Sequence, residues 1–187
     1  MNYHPYSRVL NFAWYQLTWF AAVLGGAAYE WFLGILLLMH LGLVGTWGRE
    51  IALMIAVAAL GCSVDALLAM AGYFQFDGES WLPIPLWHVA IWVGFAGTLR
   101  HSMTFMVQRP RLMTIAAALF APLTYLAAQR LGAVVFPLGS FPTAIVISLC
   151  WLTVTPLLIW LTSMANGHVL RPMPPGPYPL TTQEESS

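Results

Sequence analysis

Apolar runs separated by short polar breaks organise this chain along most of its length. The runs fall at about 9–28, 31–47, 50–73, 83–103, 111–131 and 142–165. A helix crosses the hydrocarbon core of a bilayer with about 20 such residues, so the pattern predicts an all-α, polytopic transmembrane bundle of six helices. The breaks have local causes. Tyr29-Glu30 interrupts the first pair of runs, Gly48-Arg49-Glu50 the second, and Gln108-Arg109-Pro110-Arg111 divides the fourth run from the fifth. An acidic loop from Tyr73 ends in Pro83 and Pro85, which suit a helix start. The stretch 132–142 holds Gly132, Pro137, Gly139 and Pro142 and reads as an interfacial or re-entrant loop.

The spans belong to one domain, 1–167. Beyond it, 168–187 carries Pro172, Pro174, Pro175, Pro177 and Pro179 ahead of Gln183-Glu184-Glu185. Proline fixes φ and removes a backbone donor, so this tail is expected to be extended and disordered. Residues 1–8 lack the basic region and small-residue cleavage site of a removable signal peptide, so the first run is expected to stay as a helix.

Charge then sets an orientation. All seven basic residues are arginines, and alternating loops place Arg8, Arg49, Arg100, Arg109, Arg111 and Arg171 on one side. Arg130 falls on the other side with Glu30, Asp77 and Glu79. Basic residues in short loops stay in the cytoplasm, so both termini are expected there. Composition agrees: of 187 residues 59% are hydrophobic and 7% charged, against roughly 25% charged in a soluble domain. Mean hydropathy is +0.73. A net charge of zero gives no attraction for nucleic acid. Cys62 and Cys150 lie in apolar runs and read as small buried hydrophobes.

Polar side chains inside spans are expensive and face a bundle interior or a cavity. Gln16, His40, Asp65, His88 and Tyr125 occupy five different runs, with Trp92 one turn from His88. At about 1.5 Å per residue, His40 and Asp65 fall roughly 14 and 12 Å below the outer surface, and His88 lies shallower. These six residues are therefore expected to line an outward-facing polar pocket. A lone carboxylate in hydrocarbon needs a partner, and His40 is the residue expected to pair with Asp65 as a proton relay or acid–base couple. The alternative is a hydrogen bond that merely joins spans 2 and 3. His40, Asp65 and His88 sit singly on their helices with no H-x-x-x-H spacing, so neither a metal nor haem is expected. Arg100-His101-Ser102, followed by Arg109 and Arg111, reads as a basic helix end facing anionic head groups. Tyr29, Trp31, Trp47, Trp81 and Trp87 read as interface anchors.

The chain resembles a bacterial inner-membrane family defined only as a domain of unknown function, whose members are sometimes loosely labelled permeases. The similarity rests on Asn11-Phe12, Gln16, Trp19-Phe20, His40, Gly61 to Asp65 and Gly72-Tyr73-Phe74. It continues through Pro85-Leu86-Trp87, Trp92, Phe95-Ala96, Pro122, Tyr125 and Leu131-Gly132-Ala133. It implies a fold and a location but no reaction, and the permease label is not evidence of transport.

The expected function is binding or transport of a lipid or small hydrophobic molecule, proton-linked through His40 and Asp65. Two alternatives stand beside it: an intramembrane lipid-modifying enzyme using the same pair, and a structural subunit of a larger complex. The bilayer is the one certain partner, no cofactor is called for, and the sequence leaves room for an oligomer.

Overall fold

The computed structural model describes residues 7–45, 47–76 and 83–167. The tail 168–187, Asp77, Glu79 and Trp81 lie outside the described residues. The protein is all-helical, with α1 Arg8–Gly25, α2 Glu30–Leu43, α3 Trp47–Met70, α4 Leu86–Leu99, the single turn α5 Thr104–Val107, α6 Pro110–Arg130 and α7 Ser140–Ala165. Each apolar run thus becomes a helix, with ends displaced by up to four residues from the expected ones. The 36-residue apolar segment Arg8–Leu43, α3, α6 and α7 are each long and apolar enough to cross a membrane. This is the pattern of a membrane protein. α4 is shorter, at 14 residues.

Arg8–Leu43 is a hairpin. It reverses through a 3-10 turn at Gly26–Tyr29, where Gly26 has φ 51° and ψ −136°. Only glycine takes that backbone conformation without strain. The reversal therefore sits three residues before the break expected at Tyr29-Glu30. Trp14 ties the legs together: its Nε1 donates to Leu36 O at 2.8 Å, and its ring stacks on His40 with centroids 4.4 Å apart.

α4 is the central helix and packs on α1, α2 and α3. Its small residues make this possible. Gly94 faces Tyr15 and Thr18 of α1, and Gly97 faces His40 of α2 and Met54 of α3. Without a hydrophobic drive between helices in lipid, close backbone approach is what makes association favourable. α6 and α7 form a second hairpin that joins the rest through α3. Its tip is tied back by a two-residue antiparallel ladder, Gln75–Phe76 (β1) against Val134–Val135 (β2). The stretch 132–142 is therefore a strand-paired connection, with Gly132 and Gly139 at positive φ.

Buried threonine hydroxyls are satisfied within their own helices, as a dry environment favours. Thr18, Thr143, Thr155 and Thr162 each donate to the carbonyl four residues earlier. Outward faces are apolar, with Leu38, Ile55, Leu67, Phe120 and Phe141 all mostly exposed. Trp31 and Trp47 are exposed at helix ends as anchors should be, but Trp87 is buried against Trp19 and Leu33 and is a core residue.

Gly61 shows how tight the centre is. A Cβ there would collide with the Trp92 indole, whereas one on Gly34 would meet nothing within 4 Å. Gly61→Ala is expected to cost about 1–3 kcal/mol through overpacking, while Gly34→Ala gains up to about 1 kcal/mol of helix propensity. Denaturation in detergent checks the pair, and equal effects would refute the packing.

Candidate functional site

The buried stripe of α3 runs Glu50, Leu53, Met54, Val57, Ala58, Gly61, Asp65. These positions recur at three- and four-residue steps, so they face one side of the helix. Both of its carboxylates are therefore carried inward. They lie 15 positions apart, roughly 22 Å along the axis. Each has collected its own set of donors.

Asp65, 2% exposed, is met by three side chains. His88 Nε2 lies 2.7 Å from Oδ2, Trp92 Nε1 donates to Oδ2 at 2.7 Å, and the Tyr125 hydroxyl donates to Oδ2 at 2.8 Å and Oδ1 at 2.9 Å. α4 supplies two of these groups one turn apart and α6 supplies the third. Aromatic rings hold them in place. Tyr125 stacks on Phe74 with centroids 5.3 Å apart, His88 lies 4.8 Å from Phe76, and Trp92 stacks on Trp151 at 5.5 Å. With Asp65 ionised, His88 Nε2 carries the hydrogen of that contact. The result is a carboxylate-oriented imidazole beside a phenol, a set that can bind a polar head or relay a proton.

At the other end of the stripe Glu50 is fully buried. His40 Nε2 lies 3.0 Å and His101 Nε2 3.2 Å from its Oε1, and Arg100 Nη1 donates to Oε2 at 2.7 Å. Arg100 Nε also donates to Asn166 Oδ1 at 2.9 Å, which ties the ends of α4 and α7 together. Asn11 of α1, fully buried, joins the same end of the bundle. It donates to Gly97 O and accepts from the Ser102 amide and hydroxyl.

The expected pairing of His40 with Asp65 is therefore corrected. α2 ends at Leu43, so His40 sits in its last turn and meets Glu50 at the far end of α3 from Asp65. His88 is the histidine that Asp65 holds. Arg100 and His101 are not a head-group patch either, since their side chains are only 12% and 14% exposed and turn in toward Glu50. Ser102 and His101 point to different partners, as neighbours about 100° apart on a helical turn should.

A cavity of about 650 Å³ runs beside the Asp65 cluster, with walls from α1, α4 and α6. Gln16, His88, Trp92 and Tyr125 line it; His40 and Asp65 do not. Asp65 touches it only through its three donors. The remaining walls are aromatic and aliphatic, including Trp19, Trp87 and Phe95, and Met103, Met106 and Met113 lie at the end nearer Glu50. Phe12 of α1 and Phe120 of α6 line the cavity while more than half exposed. The cavity is thus a groove open between α1 and α6.

Glu50 and Asn11 are the polar residues that the sequence reading missed. Gly48 and Arg49 make Glu50 read as the turn residue that opens the run 50–73. The available signal was its position one helical step before Leu53, Met54 and Val57, in phase with Asp65.

The two carboxylates should respond differently to substitution. Glu50→Gln leaves the Arg100 guanidinium without its buried counter-charge and is expected to cost about 3–5 kcal/mol. Tyr125→Phe removes one hydroxyl from a carboxylate that keeps two donors, at about 1–3 kcal/mol. Denaturation of the detergent-solubilised variants measures both, and a Glu50→Gln protein as stable as the parent would contradict the ion pair.

A family model described as a protein of unknown function (DUF2878) matches residues 8–157. No curated protein and no solved structure matches the chain.

Proposed function

We propose that this chain, which belongs to the DUF2878 family of unknown function, is a six-span protein of the bacterial inner membrane that binds or moves an amphiphile held in the α1–α4–α6 groove. The observation that carries this reading is the groove itself: about 650 Å³ of apolar space with His88 and Tyr125 in its wall, both fixed by Asp65. Sites for small apolar ligands are of this kind, concave and mostly apolar with a few convergent polar groups. A purely structural subunit would need no such space.

The chemistry of the wall narrows the ligand. Tyr125 spends its hydrogen on Asp65, and its oxygen retains acceptor capacity. A head group that donates a hydrogen bond, such as a hydroxyl, suits that oxygen. The aromatic and methionine walls suit an acyl, prenyl or ring-bearing body. The groove's side opening allows entry from the lipid phase.

The same residues also support the second reading, a lipid-modifying enzyme. A carboxylate–imidazole couple beside a phenol, here Asp65–His88–Tyr125, is a possible acid–base set. It replaces the expected His40–Asp65 couple in that role.

Support for the six spans comes from the antiparallel succession of long helices. That succession gathers the helix ends bearing Arg8, Arg49, Arg100, Arg109 and Arg111 at one end of the bundle, away from the end carrying Arg130. By the positive-inside rule that end is cytoplasmic. A fluorescent-protein fusion after residue 167 should therefore glow, and a periplasm-dependent phosphatase fused there should stay silent. The reverse result would invert the topology.

The ligand is tested by native mass spectrometry of the protein released from mild detergent. A lipid-sized adduct is expected on the parent protein and should be lost in Ala117→Phe, which fills the groove wall. Asp65→Asn should retain the fold and weaken the adduct. An unmodified adduct supports binding or transport, and a chemically altered one supports the enzyme. A parent protein with no adduct, or adducts indifferent to Ala117→Phe, overturns the groove as the site.

A further inference from the structure

The Glu50 end of the bundle lies apart from the groove, and its donor set has a different use. We propose that His40, Glu50 and His101 bind one divalent transition-metal ion of the zinc class. Their ligand atoms, two imidazole nitrogens and one carboxylate oxygen, lie within 4.8 Å of one another. They come from α2, α3 and the turn after α4, so they converge only when the bundle is folded. Two imidazoles and a carboxylate with an open position are a ligand set for catalytic zinc and for ferrous iron.

The distances suit an ion. With metal–donor bonds of about 2.0–2.1 Å, adjacent donors on a tetrahedral ion stand about 3.3 Å apart. Glu50 Oε1 is already 3.0 Å from one nitrogen and 3.2 Å from the other. Admitting the ion requires these two contacts to open by only a few tenths of an ångström, while the two imidazole nitrogens, within 4.8 Å of each other, turn toward the same point. The surroundings hold the ligands ready. The Trp14 ring stacked on His40 fixes that imidazole's plane. Gly97 leaves room at its edge, since a Cβ there would lie 2.9 Å from His40 Nε2. Arg100 occupies Glu50 Oε2 and leaves Oε1 as a single ligand oxygen.

The competing account is a closed hydrogen-bond network in which both imidazoles donate to Glu50. The two differ in a way that is measurable without knowing the groove's ligand. The purified full chain in mild detergent is stripped with a chelator, loaded with zinc chloride or cobalt(II) chloride, desalted and assayed for metal. The parent protein should hold one ion per chain, and its cobalt form should show the intense visible bands of low-coordinate nitrogen–oxygen ligation. His101→Ala and His40→Ala should each weaken binding by about tenfold or more, at least the effect of losing an outer partner of a metal ligand. His88→Ala, altered at the other carboxylate, should bind as the parent does. If the parent protein keeps less than a tenth of an ion per chain, the cluster is a hydrogen-bond network only and the proposal fails. Metal that persists undiminished in both His101→Ala and His40→Ala also overturns it. Should His40→Ala not fold, parent loading and His101→Ala decide the matter.

Discussion

The bundle is organised by the need to satisfy two carboxylates on the buried face of one helix. An unpaired charge taken out of water costs several kcal/mol even after relaxation, and lipid offers no compensating solvent. α3 turns both Glu50 and Asp65 inward, so each must be answered by donors from other elements. α2 answers with His40, α4 with His88, Trp92 and Arg100, the following turn with His101, and α6 with Tyr125. α7 is drawn in at one remove, through Asn166 on Arg100. Apolar side chains alone would have allowed many registers of these helices. Two fixed acceptors roughly 22 Å apart on a rigid rod allow few.

Between the two polar layers the core is apolar and close-packed. Leu53, Val57, Trp92, Ala96, Leu99 and Leu158 form one cluster there. Gly61 provides the indentation that receives Trp92, and that placement brings Trp92 Nε1 to Asp65. Packing and hydrogen bonding are therefore not separable at this point. The glycine sets the indole's depth, and the indole completes the carboxylate's shell.

Six helices, their order and their apolar faces were legible because bilayer-length hydrophobic runs are a strong signal. The gathering of Asp65, His88, Trp92 and Tyr125 near one groove was legible in outline, since each is a polar or aromatic position in an otherwise apolar run. Pairing was not. Depth estimates depend on where a helix ends: α3 ends at Met70 and not at 73, which lifts Asp65 away from His40, and α2 ends at Leu43 and not at 47, which puts His40 in its last turn, beside Glu50. Glu50 itself was hidden by its neighbours, because Gly48 and Arg49 look like a turn. Spacing rules for metal ligands are blind to one cluster for a related reason. They detect ligands on one helix, whereas His40, Glu50 and His101 meet only across the fold.

The division into two layers also bears on how the groove behaves. α6 forms one wall of the groove, and the α6–α7 hairpin reaches the rest of the bundle through α7 packed on α3 and through a set of polar and aromatic ties. Near the groove these are the Tyr125–Asp65 hydrogen bonds, the β1–β2 ladder and the Trp92–Trp151 stack. Tyr125 is at once part of the wall and part of the lock. On the proposed reading of the groove, a head group that competes for the Asp65–Tyr125 contact acts on the position of the wall as well as on its own affinity. The Glu50 layer shares no residue with that lock. It holds α2, α3 and α4 in register through donors that the Asp65 lock does not use.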